Sequence, residues 1–470
     1  LTNCQLYNGA TSVTTGSHII NPSSSVTTAS SGTTNQTFTI DGNGLTVPKG
    51  SSMTVALKRD VRTGVTATYT WALGASAGYS GASGVTSGSS VSSITFGGTS
   101  GQTMTAAAGG SIAVIADSGT LAYNAVSSGS TGVELGRLRF SATNEAVDLR
   151  QVALKLTSGS RTDLAGNQVT LWDAQTNAQV ATAVFPSGIT ATSSQIASGA
   201  FTIPVNGSRV LIIKGDMAAI NTAGPITQSG DTIKVDYDGS NVSGTQGTYG
   251  VGIASTQNRQ PSSASTAMSG VVLYRSFPTF TYSTASAVAS NGSNDLLTLN
   301  VAADSKGDVR LQQLTFTIAT TTATLTSPTF TGPNGAVNTT AVAINAAGTS
   351  LTVTFDNASN QNDRIISAGT SKTYTLRGTL NLTGTNTTGQ IQVALAGDTA
   401  AITYPAAGSG LATSTGVGGV NSGKTIWSPL STSTSNGATT DADWTNGYGL
   451  GGCFKDVGLG RDCTARTLAK

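Results

Sequence analysis

The side chains that most often carry out acid–base or nucleophilic chemistry are scarce in this sequence. The 470 residues include one histidine, His18, which follows Gly16 and Ser17. A Ser-His-Asp or Cys-His arrangement would have to be built on it, and an exposed loop histidine is the simpler interpretation. The 22 acidic residues are scattered over turns, so a glycosidase carboxylate pair stays open on spacing alone but is not indicated. We therefore expect no catalytic residues and no enzyme activity.

One stretch matches a nucleotide-binding expression. Residues 418–425, GGVNSGKT, satisfy G-x-x-x-x-G-K-[ST], in which backbone amides contact phosphates and the lysine reaches the β and γ oxygens. That motif requires a hydrophobic strand before it and a helix after it. Residues 411–417 are instead small and polar, and Pro429 follows almost at once, which disfavours a helix. We interpret the stretch as a Gly-rich linker and expect no organic cofactor.

Acidic side chains two positions apart are the remaining candidates for a metal site. The pairs are Asp236 with Asp238 and Asp441 with Asp443, whose carboxylate oxygens suit Ca²⁺. Neither pair has the ligand spacing of an EF-hand or of a calcium-binding repeat. Solvated turns are therefore the simpler interpretation, and calcium is the one cofactor that stays open.

Three cysteines are present. Cys453 and Cys463 lie ten positions apart in a Gly-rich tail, so they are candidates for a disulfide in an oxidising compartment. Cys4 is then left over, either as a free thiol or as half of a disulfide between chains. The sequence has no C-x-x-C motif or Cys/His cluster that would hold zinc.

Charge and composition exclude further classes of function. With 24 Lys and Arg against 22 Asp and Glu the net charge is +2, and 10% of residues are charged, so no strong field exists to hold nucleic acid. No run of about 18 apolar residues occurs, which predicts no transmembrane span. The chain begins at Leu1 without an initiator Met, and we interpret it as a processed, secreted chain. Its low charge permits close packing of identical subunits.

An internal repeat is the most informative feature of the sequence. Period-2 strand patterns recur in three sets, namely 53–60, 209–216 and 371–378; 36–40, 199–203 and 350–355; and 67–71, 231–237 and 389–395. In the first set Lys58, Lys214 and Arg377 align about 160 residues apart. Alternating Val, Ile, Thr, Tyr and Phe between Gly, Asn and Ser turns is the signal for β-strands.

The front of the repeat is present only twice, at 137–156 and 298–318. Residues 4–7 correspond to residues 169–172, so the first unit lacks the strands that come before this position. Each full unit has about seven strands, which predicts an all-β fold of tandem immunoglobulin-like β-sandwich domains, the first one without its N-terminal strands. The predicted domains are an incomplete unit at 1–110, full units at 111–262 and 263–410, and a Gly/Ser/Thr-rich linker and C-terminal tail at 411–470.

The incomplete unit has an energetic consequence. One missing strand loses about ten backbone hydrogen bonds at about 0.5–1.5 kcal/mol each and about four or five buried side chains at about 1.5–3 kcal/mol each. This loss is comparable to the stability of a whole domain. We expect strands from another copy to complete the unit by donor-strand complementation, with an upstream segment of the precursor or the tail as alternatives. The candidate assembly residues are Cys4, Leu6, Tyr7, Trp427 and Trp444.

Four segments carry a resemblance to a known group of proteins. They are LTNCQLYNGA at 1–10, LRFSATNEA at 138–146, VNGSRVLIIKGD at 205–216 and DWTNGY at 443–448. The chain resembles large Ser/Thr-rich surface proteins of Patescibacteria (candidate phyla radiation), which implies a surface-layer or adhesin-like role. Members of that group often carry Cys where this chain has Arg59, so the resemblance implies that Cys4 has lost a partner within its own domain.

Together these features predict a structural protein. We expect a secreted, self-assembling bacterial protein that forms a cell-surface layer or filament by strand complementation between copies of itself. The alternative is a surface adhesin or glycan-binding protein whose partners are cell-wall or surface glycans.

Overall fold

The computed structural model consists of β-strands joined by loops. It describes residues 1–21, 36–42, 44–61, 67–73, 81–91, 95, 101–106, 109–220, 229–240, 247–261, 264–337, 339–355, 363–383, 389–401, 423–431, 444–455 and 460–470. Within these ranges the helical segments are 3-10 turns such as Gly16–His18 and Arg161–Asp163, and no α-helix occurs. None of the described helical segments is long and apolar enough to cross a membrane. The predicted all-β fold class is confirmed.

The described chain forms two compact units. The first unit comprises Leu1–Ser111, Thr143–Ala146 and Gly252–Gln257, and the second unit comprises Ile112–Ala142, Val147–Val251 and Asn258–Lys470. The second unit contains two hydrophobic cores, and the domain boundaries predicted at 262 and 410 lie inside it.

The first unit contains short strands in small antiparallel sheets. Its strands are β1 (Thr2–Asn8), β2 (Thr11–Ser12), β3 (Val55–Asp60), β4 (Ala67–Thr70) and β5 (Thr103–Ala106). One sheet has the order β2-β1-β3, and β4 pairs with β5. Gly9 makes the β1–β2 turn with φ +59°, a conformation that glycine adopts without steric cost.

A buried glutamate links the three chain segments of the first unit. The Glu145 carboxylate accepts hydrogen bonds from the Gly110 amide at 2.8 Å, the Ser255 amide at 2.9 Å and the Ser255 hydroxyl at 2.8 Å. A β-carbon at Gly252 would lie 2.5 Å from this carboxylate. Glycine is therefore required there for the segments to approach.

The first of two sandwiches in the second unit encloses one core. Its strands are β6 (Ser111–Ala116), β7 (Asn124–Ser127), β8 (Val133–Thr143), β9 (Val147–Gln151), β10 (Ala153–Ser158), β11 (Leu164–Asp173), β12 (Ala178–Val184), β13 (Thr190–Thr192), β14 (Thr202–Ile203), β15 (Ser208–Met217), β16 (Asp231–Tyr237), β17 (Tyr249–Gly252), β18 (Asn258–Arg259) and β19 (Val271–Tyr274). The sheets are β12-β11-β15-β8-β6, β13-β10-β16-β19-β7 and β14-β9-β17-β18. Alternate side chains such as Leu171, Leu211, Leu154 and Val235 are fully buried in the shared core because side chains on a strand alternate between its two faces.

The second sandwich encloses the other core. Its strands are β20 (Pro278–Tyr282), β21 (Ala287–Val288), β22 (Gly292–Ala303), β23 (Val309–Thr321), β24 (Ala323–Gly332), β25 (Gly335–Ala336), β26 (Thr339–Ile344), β27 (Ser350–Phe355), β28 (Ile365–Ile366), β29 (Ser371–Leu382), β30 (Gln390–Leu395), β31 (Thr425–Ser428), β32 (Thr445–Asn446) and β33 (Arg466–Ala469). One sheet has the order β20-β22-β29-β24-β25. The other has the order β21-β33-β30-β23-β27-β26, and β28 and β31 also pair with β23.

The C-terminal tail belongs to the second sandwich. β31 pairs with β23, with Trp427 opposite Leu311, and β33 pairs with β30, with Leu468 opposite Ile391. The described tail strands therefore complete a sheet of this sandwich. The tail is one of the sequence-based alternatives for completing the first unit, whereas its described strand β31 lies in the second sandwich.

One strand order recurs in all three places. The first sandwich has the strand order β12-β11-β15-β8-β6. The second sandwich has the equivalent order β25-β24-β29-β22-β20 when its strands are read from the β25 edge. The first unit has β2-β1-β3, in which β3 carries the repeat segment that forms β15 and β29 in the sandwiches. Among the described residues, the order in the first unit therefore ends where β8 and β22 follow in the others.

Candidate assembly site

The side of β3 that no described strand pairs with is the candidate assembly site, and we call it the open edge. On its other side β3 pairs with β1, with Leu57 opposite Leu6 and Ala56 opposite Tyr7. The equivalent strand β15 is paired on both sides, by β11 and by β8. β29 is likewise paired by β24 and β22. The open edge thus has the position that β8 and β22 fill in the two sandwiches.

A repeated lysine–aromatic contact supports this equivalence. Lys58 Nζ of β3 lies 4.4 Å from the centre of the Tyr7 ring of β1. Lys214 Nζ of β15 lies 4.4 Å from the centre of the Trp172 ring of β11. Both are cation–π contacts between the strand pairs that the repeat aligns. The internal repeat places both residue pairs at equivalent positions, but it does not predict the contact between them.

The first unit buries very little apolar surface. Among the described residues of Leu1–Ser111, Cys4 is the one buried hydrophobic side chain. Large apolar side chains are exposed there at Val47, Val55, Val61, Leu73, Val85, Val91 and Met104. Natural sheets rarely leave such surface and an unpaired edge together, because both promote association.

Cys4 lies inside the first unit beside an arginine. Its thiol is free and 1% exposed, and Arg59 Nη2 lies 3.0 Å from the Cys4 sulfur. The same guanidinium lies 4.1 Å from the centre of the Trp71 ring and 5.9 Å from that of Tyr69. A disulfide to another chain would require β1 to move, because the buried sulfur is not accessible in this arrangement. The arginine lies where the resemblance implied a cysteine partner.

Leu6 and Tyr7 are half-buried on the same strand. Leu6 donates its amide to the Thr14 hydroxyl at 2.9 Å, and Tyr7 lies under Lys58. These two candidate residues therefore lie one strand away from the open edge and support β3.

Trp427 and Trp444 are not surface anchors, which corrects the expectation that they act in assembly. Both are 0% exposed. Trp427 donates its indole NH to the Asn446 carbonyl at 2.8 Å and packs edge-on against Tyr274 with ring centres 5.0 Å apart. Trp444 lies 5.9 Å from the Arg364 guanidinium. These rings stabilise the tail within the chain because burying them removes large apolar areas from water.

Cys453 and Cys463 form a disulfide, with an S–S distance of 2.07 Å and a Cα–Cα distance of 5.3 Å. The Cys453 amide donates to the Phe280 carbonyl at 2.7 Å, and the Cys463 amide donates to the Leu395 carbonyl at 2.9 Å. The disulfide therefore joins two segments of the tail, one hydrogen-bonded to β20 and the other to the end of β30.

His18 contacts an aspartate. Its Nδ1 lies 2.5 Å from Asp41 Oδ1, and Asp41 also accepts hydrogen bonds from the Thr15 amide and hydroxyl at 2.6 Å each. The Thr15 hydroxyl and then His18 hold the pKa of Asp41 below its usual value. No described hydrogen bond joins His18 to a serine or cysteine, so the described residues form no nucleophile–base pair here.

Asp236, one calcium candidate, is occupied by protein donors. It accepts hydrogen bonds from the Met268 amide at 2.7 Å and the Thr157 hydroxyl at 2.7 Å, and Lys234 Nζ lies 3.8 Å away. These contacts already balance the carboxylate charge.

The other calcium candidates are not brought into a ligand cluster. Asp238 accepts hydrogen bonds from the Ser240 hydroxyl at 2.5 Å and the Ser240 amide at 3.1 Å. Asp441 and Asp443 lie outside the described residues. Within the described ranges, no three His, Cys, Asp or Glu residues form a metal-binding group. Calcium binding stays a prediction.

No protein-family model matches the chain, and no curated protein sequence matches it. Among solved structures it is similar to the C-terminal domain of the Streptococcus agalactiae AgI/II polypeptide BspA, with 8% identity over 61% of this chain and 95% of that chain and a TM-score of 0.19. The C-terminal domain of the antigen I/II-family protein AspA of Streptococcus pyogenes matches with 9% identity over 61% and 95%, and a TM-score of 0.18.

The full-length major pilin SpaD of Corynebacterium diphtheriae matches with 12% identity over 53% of this chain and 56% of that chain, and a TM-score of 0.18. At TM-scores this far below 0.5, these likenesses do not establish a shared function. The functional conclusion therefore rests on the arrangement of the strands in this chain.

Proposed function

We propose that this chain is an extracellular structural protein that assembles with copies of itself, each copy donating a strand to the open edge of another. The single observation that carries the proposal is the strand order. β2-β1-β3 reproduces three of the five positions found in both sandwiches, and the next position is empty among the described residues. Addition of an extended segment to such an edge is an established mode of recognition.

Surface properties support association rather than repulsion. Several outer strands of the sandwich sheets, including β6, β12 and β26, contain no charged residue. Charged side chains are the usual protection of edge strands against pairing. The net charge of +2 also leaves little repulsion between copies. The proposed secreted, cell-surface location is supported by the Cys453–Cys463 disulfide, since disulfides persist in oxidising compartments.

The test is the oligomeric state of the purified chain as a function of concentration. We expect light scattering after size exclusion to show growth of the mass with concentration, and electron microscopy to show ordered layers or filaments. Val55→Glu places a charge on the open edge, where Val55 is 38% exposed, and is expected to reduce assembly at least about tenfold in association constant.

Val85→Glu is the matched control, because Val85 is an exposed valine of the first unit outside any strand. It is expected to leave assembly unchanged. A chain that stays a monodisperse monomer at all concentrations, or equal effects of the two substitutions, would contradict the proposal.

A further inference from the structure

A cleft is formed by residues of the second unit, whereas the open edge belongs to the first unit. Its volume is about 510 Å³, within the range of about 300–1,000 Å³ that small-molecule sites occupy. Its lining residues include two tyrosines, Tyr123 and Tyr448, and three residues that carry hydroxyls, Thr232, Ser269 and Thr399. Ala401 lies at its exposed margin. None of the described residues that line it is acidic or basic.

The two tyrosines are held in place by the fold. Tyr123 precedes β7 and Tyr448 follows β32, and their ring centres are 5.3 Å apart with a tilt of 38°. The Ala125 amide donates to the Gly449 carbonyl at 2.8 Å, which fixes the two segments side by side. A β-carbon at position 449 would lie 2.9 Å from the Tyr123 ring, so the glycine allows that ring to approach the backbone.

The polar groups of the cleft are neutral. Tyr123 contacts the Thr232 hydroxyl at 3.4 Å, and burial raises the pKa of its phenol. Ser269 and Thr399 are exposed, so their hydroxyls are free to face solvent or a ligand. Hydroxyls act as both donors and acceptors, whereas a phosphate or carboxylate ligand would require a basic partner.

We propose that this cleft binds a neutral saccharide. A sugar ring presents an apolar face of C–H groups to aromatic rings and a rim of hydroxyls to neutral donors and acceptors. The cleft offers both kinds of partner in one place and no charge, which also disfavours nucleotides. The proposal is independent of assembly through β3, because all of its lining residues belong to the second unit.

The test is titration of the full chain, at a concentration where it is monomeric, with triacetylchitotriose, maltotriose, the anionic sialyllactose and a proline-rich peptide. Calorimetry and ligand-observed NMR report the binding. We expect one of the neutral trisaccharides to bind with a Kd of about 1 mM or tighter, and sialyllactose to show no added affinity from its charge. The peptide is included because aromatic grooves also bind proline-rich segments.

Two variants locate the site. Tyr448→Ala removes one ring, and Ala401→Arg fills the mouth from an exposed position where folding is not at risk. Each is expected to weaken binding at least about tenfold. Tyr249→Ala, at a half-buried tyrosine outside the cleft, is expected to leave it unchanged. Absence of neutral-sugar binding at about 10 mM, preference for the peptide or sialyllactose, or full binding in both cleft variants would overturn the proposal.

Discussion

At the scale of single residues, several charged side chains of the second unit are paired with other protein groups. Arg209 makes a two-point contact with Asp173, at 3.1 and 2.9 Å. Asp173 also accepts hydrogen bonds from Thr176, and together these contacts outweigh burial and lower the pKa of Asp173 to about 2. Such paired charges fix turns and strand ends.

Asp231 gives a prediction about pH. Burial and the nearby Asp163 carboxylate raise its pKa to about 6, so the folded protein binds a proton here more tightly than the unfolded chain. Stability from this group is therefore complete below the unfolded pKa, about 3.9, and is lost as the pH rises through about 6. The pKa of Asp173 is lowered instead, so its contribution to stability is lost as the pH falls, in a lower pH range.

We expect Asp231→Asn to remove this dependence and to raise the melting temperature at pH 7. The full shift corresponds to at most about 3 kcal/mol, and solvent at this half-buried position reduces the effect. Melting temperatures between pH 7 and 4.5 measure it, with the exposed Asp295→Asn as the control. An equal pH dependence in the wild type and Asp231→Asn would contradict the assignment.

The contact between Arg59 and Cys4 predicts an engineered disulfide. β1 and β3 are antiparallel with Gln5 opposite Lys58, and the register shifts between Thr2 and Gln5. The Arg59 side chain reaches the Cys4 sulfur across this bulge, so positions 4 and 59 are neighbours on the two strands and a cysteine at 59 would approach Cys4. Arg59→Cys is expected to form a bond with Cys4 and to raise the free energy of unfolding by about 2–4 kcal/mol. Thiol counting in denaturant measures it. Lys58→Cys is the control, and two free thiols in Arg59→Cys would contradict the close approach of positions 4 and 59.

At the scale of strands and sheets, the repeat predicted most central elements well. β3, β15 and β29 lie where residues 53–60, 209–216 and 371–378 placed them, because period-2 alternation is strong in strands with one buried face. The pattern at 36–40 forms no strand, since its equivalents pair with neighbours that the described first unit lacks. A period-2 pattern in the sequence does not by itself determine whether a neighbouring strand is present for pairing.

The tail shows a second limit of sequence reasoning. The sequence predicts a Gly/Ser/Thr-rich linker and tail at 411–470, and nothing in its pattern indicates which sheet the tail strands join, because pairing in β-sheets depends on contacts distant in sequence. Trp427 is opposite Leu311, more than one hundred positions away. The tyrosines of the cleft, Tyr123 and Tyr448, are still further apart and gave no spacing signal.

The buried tail predicts a large stability cost for losing its anchor. Trp427→Ala removes a 0% exposed ring, its contact with Tyr274 and its hydrogen bond to Asn446, and is expected to cost about 3–5 kcal/mol. Urea unfolding measures the loss of stability. Hydrogen exchange of the amides in β23 and β31 shows whether these two strands lose protection. Trp172→Ala, at a half-buried tryptophan, should cost clearly less. Similar costs for the two variants would argue against Trp427 as the anchor of the tail.

At the scale of the whole molecule, apolar burial is distributed unequally. The second unit contains two well-filled cores, whereas the described first unit has one buried hydrophobic side chain. Regions with few buried apolar contacts open at low free energy. The composition indicates low charge and a high content of β-strands. Only the three-dimensional structure shows that the unit with few buried apolar side chains is the first one.

This inequality predicts different amide-exchange protection in the two units. In the monomer, β1, β3, β4 and β5 are expected to exchange much faster than β11, β15, β22 and β29. After assembly, protection of β3 is expected to rise while protection of the sandwich strands stays the same. Hydrogen-exchange mass spectrometry at low and high protein concentration measures both. Slow exchange of β3 in the dilute monomer would show that the first unit is already complete by itself.

The position next to β3, which no strand of the described chain fills, also sets a direction. If every copy accepts a strand at that position and donates one from elsewhere, the joint is head-to-tail and does not close on itself by twofold symmetry. A row of molecules built in this way has two unlike ends, one with an acceptor still empty and one with a donor still unused. Such a polymer can elongate differently at its two tips, and a short peptide that fits the acceptor would stop growth at only one of them.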